Sequence, residues 1–187
     1  MPSPSVAVRR RPFLAPLWLA AAAVIFTSFV LYGVVRASIA IMGKTTTLVV
    51  VRHAEKAEEG GSDPLLSSAG QERALRLADM LGDERIAAIY VTDTRRSQLT
   101  AAPLAARLGL TPTVLAARDT AALLENIGDE HVGGKVVIVG HSNTVPAIVA
   151  TLSRGRATPR LGDDDYDSLF VVTVTRFGPP AVLQLRY

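Results

Sequence analysis

The 187-residue chain contains no cysteine. That absence excludes disulfides, thiolate metal sites and a cysteine nucleophile together. Acidic residues are missing from the first 44 positions, where Arg9, Arg10, Arg11, Arg36 and Lys44 are the only charged side chains. From Thr45 onward 15 basic residues stand against 17 acidic ones, so the positive balance belongs to the leader and the remainder is near neutral. No basic stripe with interleaved aromatics occurs there, which argues against a nucleic-acid partner. Histidine is scarce too, at positions 53, 131 and 141. The length suits one ordinary domain plus an appendage.

The leader does hold an uncharged run of 23 residues, Phe13 to Val35. As a helix rising about 1.5 Å per residue it spans roughly 35 Å, against a hydrocarbon core of about 30 Å. Trp18 and Tyr32 lie near its ends, where interfacial aromatics gather. The expected organisation is therefore a basic flank over 1–12, a single-pass membrane anchor or uncleaved signal over 13–35, a linker over 36–44 and one domain over 45–187. A core helix is a poor reading, because the run is apolar all round. A cleaved signal is the alternative, with Arg9 to Arg11 as its n-region and Ser38 and Ala40 at the cleavage site; the product would be secreted. Its apolar region would ordinarily be about 7–15 residues, shorter than this one. The positive-inside bias puts the N-terminus in the cytoplasm and the domain on the exported side.

Beyond Thr45 short β-branched runs alternate with Ala/Leu-rich segments. Strands are expected at Thr45–Val51, Ala87–Val91, Val136–Val139, Phe170–Thr175 and Val182–Leu185, with a minor one at Val114–Leu115. Ser68 and Gln71 have capping-box spacing, and Ala74, Leu75, Ala78 and Leu81 then recur at helical intervals, predicting a helix to Leu81. Further helices are expected over Arg96–Leu108, ended by Gly109, over Thr120–Ile127 and over Val145–Leu152. The fold class is α/β, a three-layer α/β/α arrangement around a mainly parallel sheet, closed by a hairpin at a Gly-Pro-Pro turn. The Asp163–Asp167 cluster reads as a solvated loop, its nearness to the closing strands leaving a role at the rim open, and His131, before Gly133-Gly134, as a surface-loop residue.

In open α/β sheets ligands bind beyond the carboxyl ends of the strands. Three strands end on polar residues: Arg52-His53-Ala54-Glu55-Lys56, Thr92-Asp93-Thr94-Arg95-Arg96, and Gly140-His141-Ser142-Asn143. If the strands are parallel neighbours, two histidines and at least two arginines converge. An imidazole nitrogen is a competent nucleophile toward phosphorus, and guanidinium groups bind the phosphoryl oxygens bidentately. A second histidine, beside a helix N-terminus, can donate to the same oxygens. Such a site calls for no metal and no other cofactor. One packed histidine at a strand end is ordinary; two, with an arginine adjacent, favour chemistry.

These residues resemble the histidine phosphatase superfamily, the phosphoglycerate-mutase-like group, in a short form similar to phosphohistidine phosphatases. Arg52-His53-Ala54 after Leu48–Val51 is similar to the family's opening motif, Arg96 with Thr100-Ala101 to its arginine helix, and Gly140-His141-Ser142-Asn143 to its second histidine motif. Asp63-Pro64-Leu65 and Gly70 fit the loop before its first helix. The resemblance implies that His53 becomes phosphorylated, that Arg52, Arg96 and His141 join it in binding the phosphoryl group, and that the substrate is a phosphorylated small molecule or phosphoprotein. Leu99 stands where many members carry Gln or Glu. The family's general acid has no clear counterpart; by position Asp119, Glu125, Asp129, Glu130 and Glu55 are candidates. A phosphoramidate leaving group places less demand on such an acid.

Two other readings stay open. A catalytically silent module that binds phospho-ligands would keep the arginines. A serine hydrolase would use Ser142 in a nucleophile elbow, although Thr144 replaces its final glycine and no histidine follows. The leader yields a prediction of its own: the full chain fractionates with membranes and resists carbonate extraction. A mature N-terminus near Ile41 would instead establish a cleaved signal.

Overall fold

The computed structural model describes residues 17–42, 44–59, 61–116, 124, 127, 130–175 and 178–187. The chain divides into two compact units, Met1–Ile41 and Met42–Tyr187. Helix α1 (Leu17–Met42) has a mean hydropathy of 2.1 over Trp18–Ile39 with no residue of that stretch buried. It is long and apolar enough to cross a membrane, a criterion that signal sequences also meet. It continues through positions 36–42, where composition predicts a linker, since no glycine or proline breaks it between Gly33 and Gly43.

The second unit runs β1 (Thr45–Arg52), α2 (Ser68–Leu81), β2 (Ile86–Thr92), α3 (Arg95–Leu108), β3 (Thr113–Leu115), β4 (Lys135–Gly140), α4 (Thr144–Leu152), β5 (Ser168–Thr175) and β6 (Ala181–Arg186). The six strands form one mixed sheet in the order β3-β2-β4-β1-β5-β6. The first four of that order are mutually parallel, while β5 lies antiparallel to β1 and β6 antiparallel to β5. The predicted helix over Thr120–Ile127 lies mostly outside the described residues.

The unbroken apolar run in β1 follows from burial on both faces. Val49 and Val51 pack with Leu77 and Leu81 of α2 and Ala101 and Leu104 of α3. Leu48 and Val50 pack on the other side with Val145, Ile148 and Val149 of α4. Helices thus cover both faces and hold the strand ends in place.

Helix α2 departs from its expected start and stripe. Its N-cap is Ser67, which accepts from the Gly70 amide (3.1 Å), and Ser68 is the first helical residue. The chain enters from the Lys56–Leu66 bridge, and the Ser67 amide donates to the Glu55 carbonyl (3.0 Å), which fixes the extended residue one position early. Leu75 is 56% exposed and Leu77 fills the core position instead. Helix α3 ends as expected, with Gly109 left-handed (φ 65°).

Gly70 lets α2 approach the loop after β1 closely: a β-carbon there would collide with the Glu55 carbonyl oxygen. Gly70→Ala should therefore destabilise the unit by about 1–3 kcal/mol, as overpacking does. Chemical denaturation would read this as a lower midpoint, and an unchanged midpoint would show that α2 can retreat at no cost.

Candidate active site

Because β1, β2 and β4 are parallel, their carboxyl ends share one edge of the sheet. Arg52 stands opposite Gly140, and the His53 amide donates to the Gly140 carbonyl (2.8 Å). The two histidines therefore leave adjacent strands side by side, their ring centroids 5.1 Å apart and their planes inclined at 68°. Since β5 is antiparallel to β1, the segment leading into it arrives at the same edge, with Leu169 opposite Val51.

That segment takes hold of Arg52, which is only 7% exposed. Nη1 donates to the carbonyls of Gly162 (2.9 Å), Asp163 (2.8 Å) and Asp165 (3.2 Å). The guanidinium carbon lies 4.1 Å from the centroid of the Tyr166 ring. The second arginine, Arg96, comes from the first turn of α3. Its Nη1 is 3.5 Å from Asp63 Oδ1, and the same carboxylate accepts from the Arg95 amide (3.1 and 3.2 Å) at the start of the helix. One turn on, the buried Thr100 hydroxyl accepts from the Ala54 amide (2.9 Å) and donates to the Arg96 carbonyl (2.7 Å). The threonine in the Arg96–Thr100 pattern thus fastens the loop bearing His53 to α3.

The state of His53 follows from its contacts. Nδ1 lies 2.8 Å from the Ala54 carbonyl, which can only accept, so Nδ1 carries the proton and Nε2 keeps its lone pair. Burial pushes the ring's pKa down to about 4; the Ala54 hydrogen bond opposes this, and His141, Arg96 and Arg52 add to it. His141 is shifted down as well, chiefly by burial and by Arg96. Its Nε2 is 2.9 Å from the Thr92 hydroxyl, whose own proton points at Ser97 Oγ (2.6 Å), so Nε2 is the donor and Nδ1 is the nitrogen left over.

Around these groups is a cavity of about 500 Å³ lined by Arg52, His53, Lys56, Gly61, Ser62, Pro64, Thr94, Arg96, His141, Ser142, Asn143 and Asp163. Its walls are cationic and rich in hydroxyl and amide groups, which suits a tetrahedral oxyanion. Among the described residues no group of three or more histidines and carboxylates suited to a metal occurs.

The structure brings Arg52, His53, Arg96 and His141 together. Of the candidate acids, Glu55 points elsewhere: Arg73 binds it bidentately (2.6 and 3.0 Å). Burial, the largest single influence, would raise its pKa, but the Arg73 hydrogen bonds, a backbone hydrogen bond and the charges of Arg73 and Arg76 together hold it below the usual value. Glu130 is exposed, 4.0 Å from His131 Nε2, at the opposite end of the sheet where β1 and β4 begin. Asp119, Glu125 and Asp129 lie outside the described residues. His131 is a half-buried partner of Tyr90 (2.9 Å) rather than a surface side chain, because the Thr46 and Gly134 contacts pull its backbone inward. Ser142 lines the cavity, yet no imidazole among the described residues bonds its hydroxyl, so a hydrolase base is lacking. Leu99, 38% exposed, faces away from the cavity beside Leu65 and Leu75. Sequence reasoning put Thr92 at a strand end without its contact to His141, and gave Tyr166 no place in the site. An acidic stretch gives no sign that its backbone will bind an arginine.

A depressed histidine pKa has a definite stability signature. Above pH 6.5 His53 is neutral whether folded or not and contributes no slope. Between about 6.5 and 4 the unfolded chain binds the proton and the folded chain does not, so stability is lost as the pH is lowered through that window. His53→Gln should flatten part of the slope in thermal melts, His141 retaining the rest. An identical slope in the variant would mean that the buried ring charges without penalty.

Residues 48–119 match the model of the histidine phosphatase superfamily, branch 1. No curated protein matches the chain. Solved structures similar to it include one described as mycobacterial hydrolase 1 (19% identity, 77% of this chain and 99% of that one, TM-score 0.65). A mycobacterial glucosyl-3-phosphoglycerate phosphatase has 20% identity over the same shares, with a TM-score of 0.62. The protein histidine phosphatase SixA, solved with tungstate, has 21% identity over 75% of this chain and 96% of that one, with a TM-score of 0.61. At such identities the likeness is one of fold. The family match runs from within β1 through α2, β2, α3 and β3, and so includes Arg52, His53 and Arg96.

Proposed function

We propose that this chain is a membrane-anchored phosphatase that hydrolyses phosphoric monoesters or phosphoramidates through a phosphohistidine on His53. The observation that carries the reading is the locked tautomer of His53: Nδ1 is tied to Ala54, so a bare Nε2 is left in a cavity shared with Arg52, Arg96 and His141. A pKa of about 4 keeps that nitrogen unprotonated at neutral pH.

In this reading Nε2 attacks phosphorus, and the bond from phosphorus to the leaving oxygen or nitrogen breaks as that atom takes up a proton. Water then attacks the phosphohistidine, the P–N bond breaks, inorganic phosphate departs and Nε2 regains its lone pair. Arg52 and Arg96 offset the charge of the phosphoryl oxygens through both steps. His141 must gain a second proton before Nδ1 can donate to them, and an arriving dianion favours that uptake. The guanidinium groups supply the positive charge, so the mechanism is read as metal-independent. The hydroxyl and amide lining of the cavity favours a hydrophilic leaving group, either a small phosphorylated molecule or a phosphoprotein side chain. The length and apolarity of α1 support a single-pass anchor, and the leader's charge supports an exported domain.

A reactive phosphodonor should place an acid-labile, base-stable phosphate on His53, and His53→Ala should abolish both labelling and turnover. Arg52→Ala and Arg96→Ala should each lose roughly 1.5–3 kcal/mol, about ten- to over a hundredfold in kcat/KM. Turnover surviving His53→Ala, or removed by chelators and restored by a divalent metal, would sink the covalent mechanism. Phosphate binding without any turnover would identify a silent binding module.

A further inference from the structure

Arg52 is anchored unlike the other buried or half-buried arginines of this unit. Arg73 is neutralised by Glu55, and Arg96 leans on Asp63. No carboxylate lies within ion-pair distance of Arg52 among the described residues; its protein partners are three carbonyls and the face of a tyrosine. All of them belong to Gly162–Tyr166, a segment outside the 48–119 family match. We infer that Gly162–Tyr166 is a positioning element of the site, with Tyr166 its key side chain, which fixes the Arg52 guanidinium by neutral groups and so leaves its whole charge to the substrate's phosphoryl group.

The geometry supports this at the two terminal nitrogens. A guanidinium has five N–H donors in a rigid fork. Nη1 is used by the three carbonyls, whereas Nε and Nη2 make no hydrogen bond to a described residue, and Nε is buried. The carbonyl dipoles orient the fork without cancelling its charge, and the ring stabilises a cation that has lost water. A carboxylate in their place would offset that charge before a dianion arrived. Tyr166 also lies 6.0 Å from the His53 ring, so a single side chain flanks both the cation and the imidazole.

The inference rests on the phosphate-binding role proposed for Arg52, and two separate readouts keep the two apart. Inorganic phosphate affinity, by calorimetry on the full chain in detergent, tests the positioning element; turnover tests the phosphatase reading. Tyr166→Leu should weaken phosphate binding by about tenfold, the scale of a partly desolvated cation–π contact. Tyr166→Phe, which keeps the ring, should recover most of that loss. Tyr166→Met replaces leucine if the latter prevents folding. In an Arg52→Ala background Tyr166→Leu should cost nothing more, because the tyrosine acts through the arginine. Phosphate affinity unchanged in Tyr166→Leu, or losses that multiply in the double variant, would overturn the inference. Tyr166-dependent phosphate binding in a chain that turns over no phosphate ester or phosphoramidate would support it while sinking the phosphatase reading.

Discussion

The hydrogen bond from the His53 amide to the Gly140 carbonyl extends the β1–β4 ladder one residue past Arg52, and the geometry of the site descends from it. With Arg52 level with Gly140, the residues that follow each strand must emerge as neighbours. A slip of one residue in that pairing would send Arg52 and His53 to the opposite faces, since side chains alternate across the sheet. The register thus governs the proximity of the histidines.

Tertiary ties then refine what the register has placed. Thr100 fastens the loop after β1 to α3, and Asp63 fastens the start of α3 to the loop before α2. Glu55, one residue beyond Ala54, is secured by Arg73, whose Nη1 also donates to the Tyr187 carbonyl (2.6 Å). The residues either side of His53 are thus held from several directions, which suits a group that must keep one orientation while its charge state changes.

Much of this was legible in the sequence because it is written in local signals. Apolar runs located the strands, and the polar residues directly after them located Arg52, His53 and His141. The residues after the second strand included Arg96, and the resemblance to the family's arginine helix singled out Thr100. What escaped was whatever depends on pairing that no local signal specifies. The α2 cap moved to Ser67 because of the Glu55 carbonyl, and Leu77 rather than Leu75 lies on the buried stripe with Ala74, Ala78 and Leu81. The antiparallel seat of β5 beside β1 brought Asp163, Asp165 and Tyr166 to the site, and no composition of that stretch announces it. Backbone carbonyls in particular leave no trace in a sequence, since every residue has one.

The tie between His53 Nδ1 and the Ala54 carbonyl settles a question of regiochemistry. An imidazole can be phosphorylated on either nitrogen, giving two isomers that differ in hydrolytic lability and in recognition by reagents and antibodies. With the inner nitrogen occupied by its own backbone neighbour, a group transferred to this ring would sit on the outer one. The fold would thereby choose one constitutional isomer of the adduct before any substrate arrives, by means of a single carbonyl one residue away.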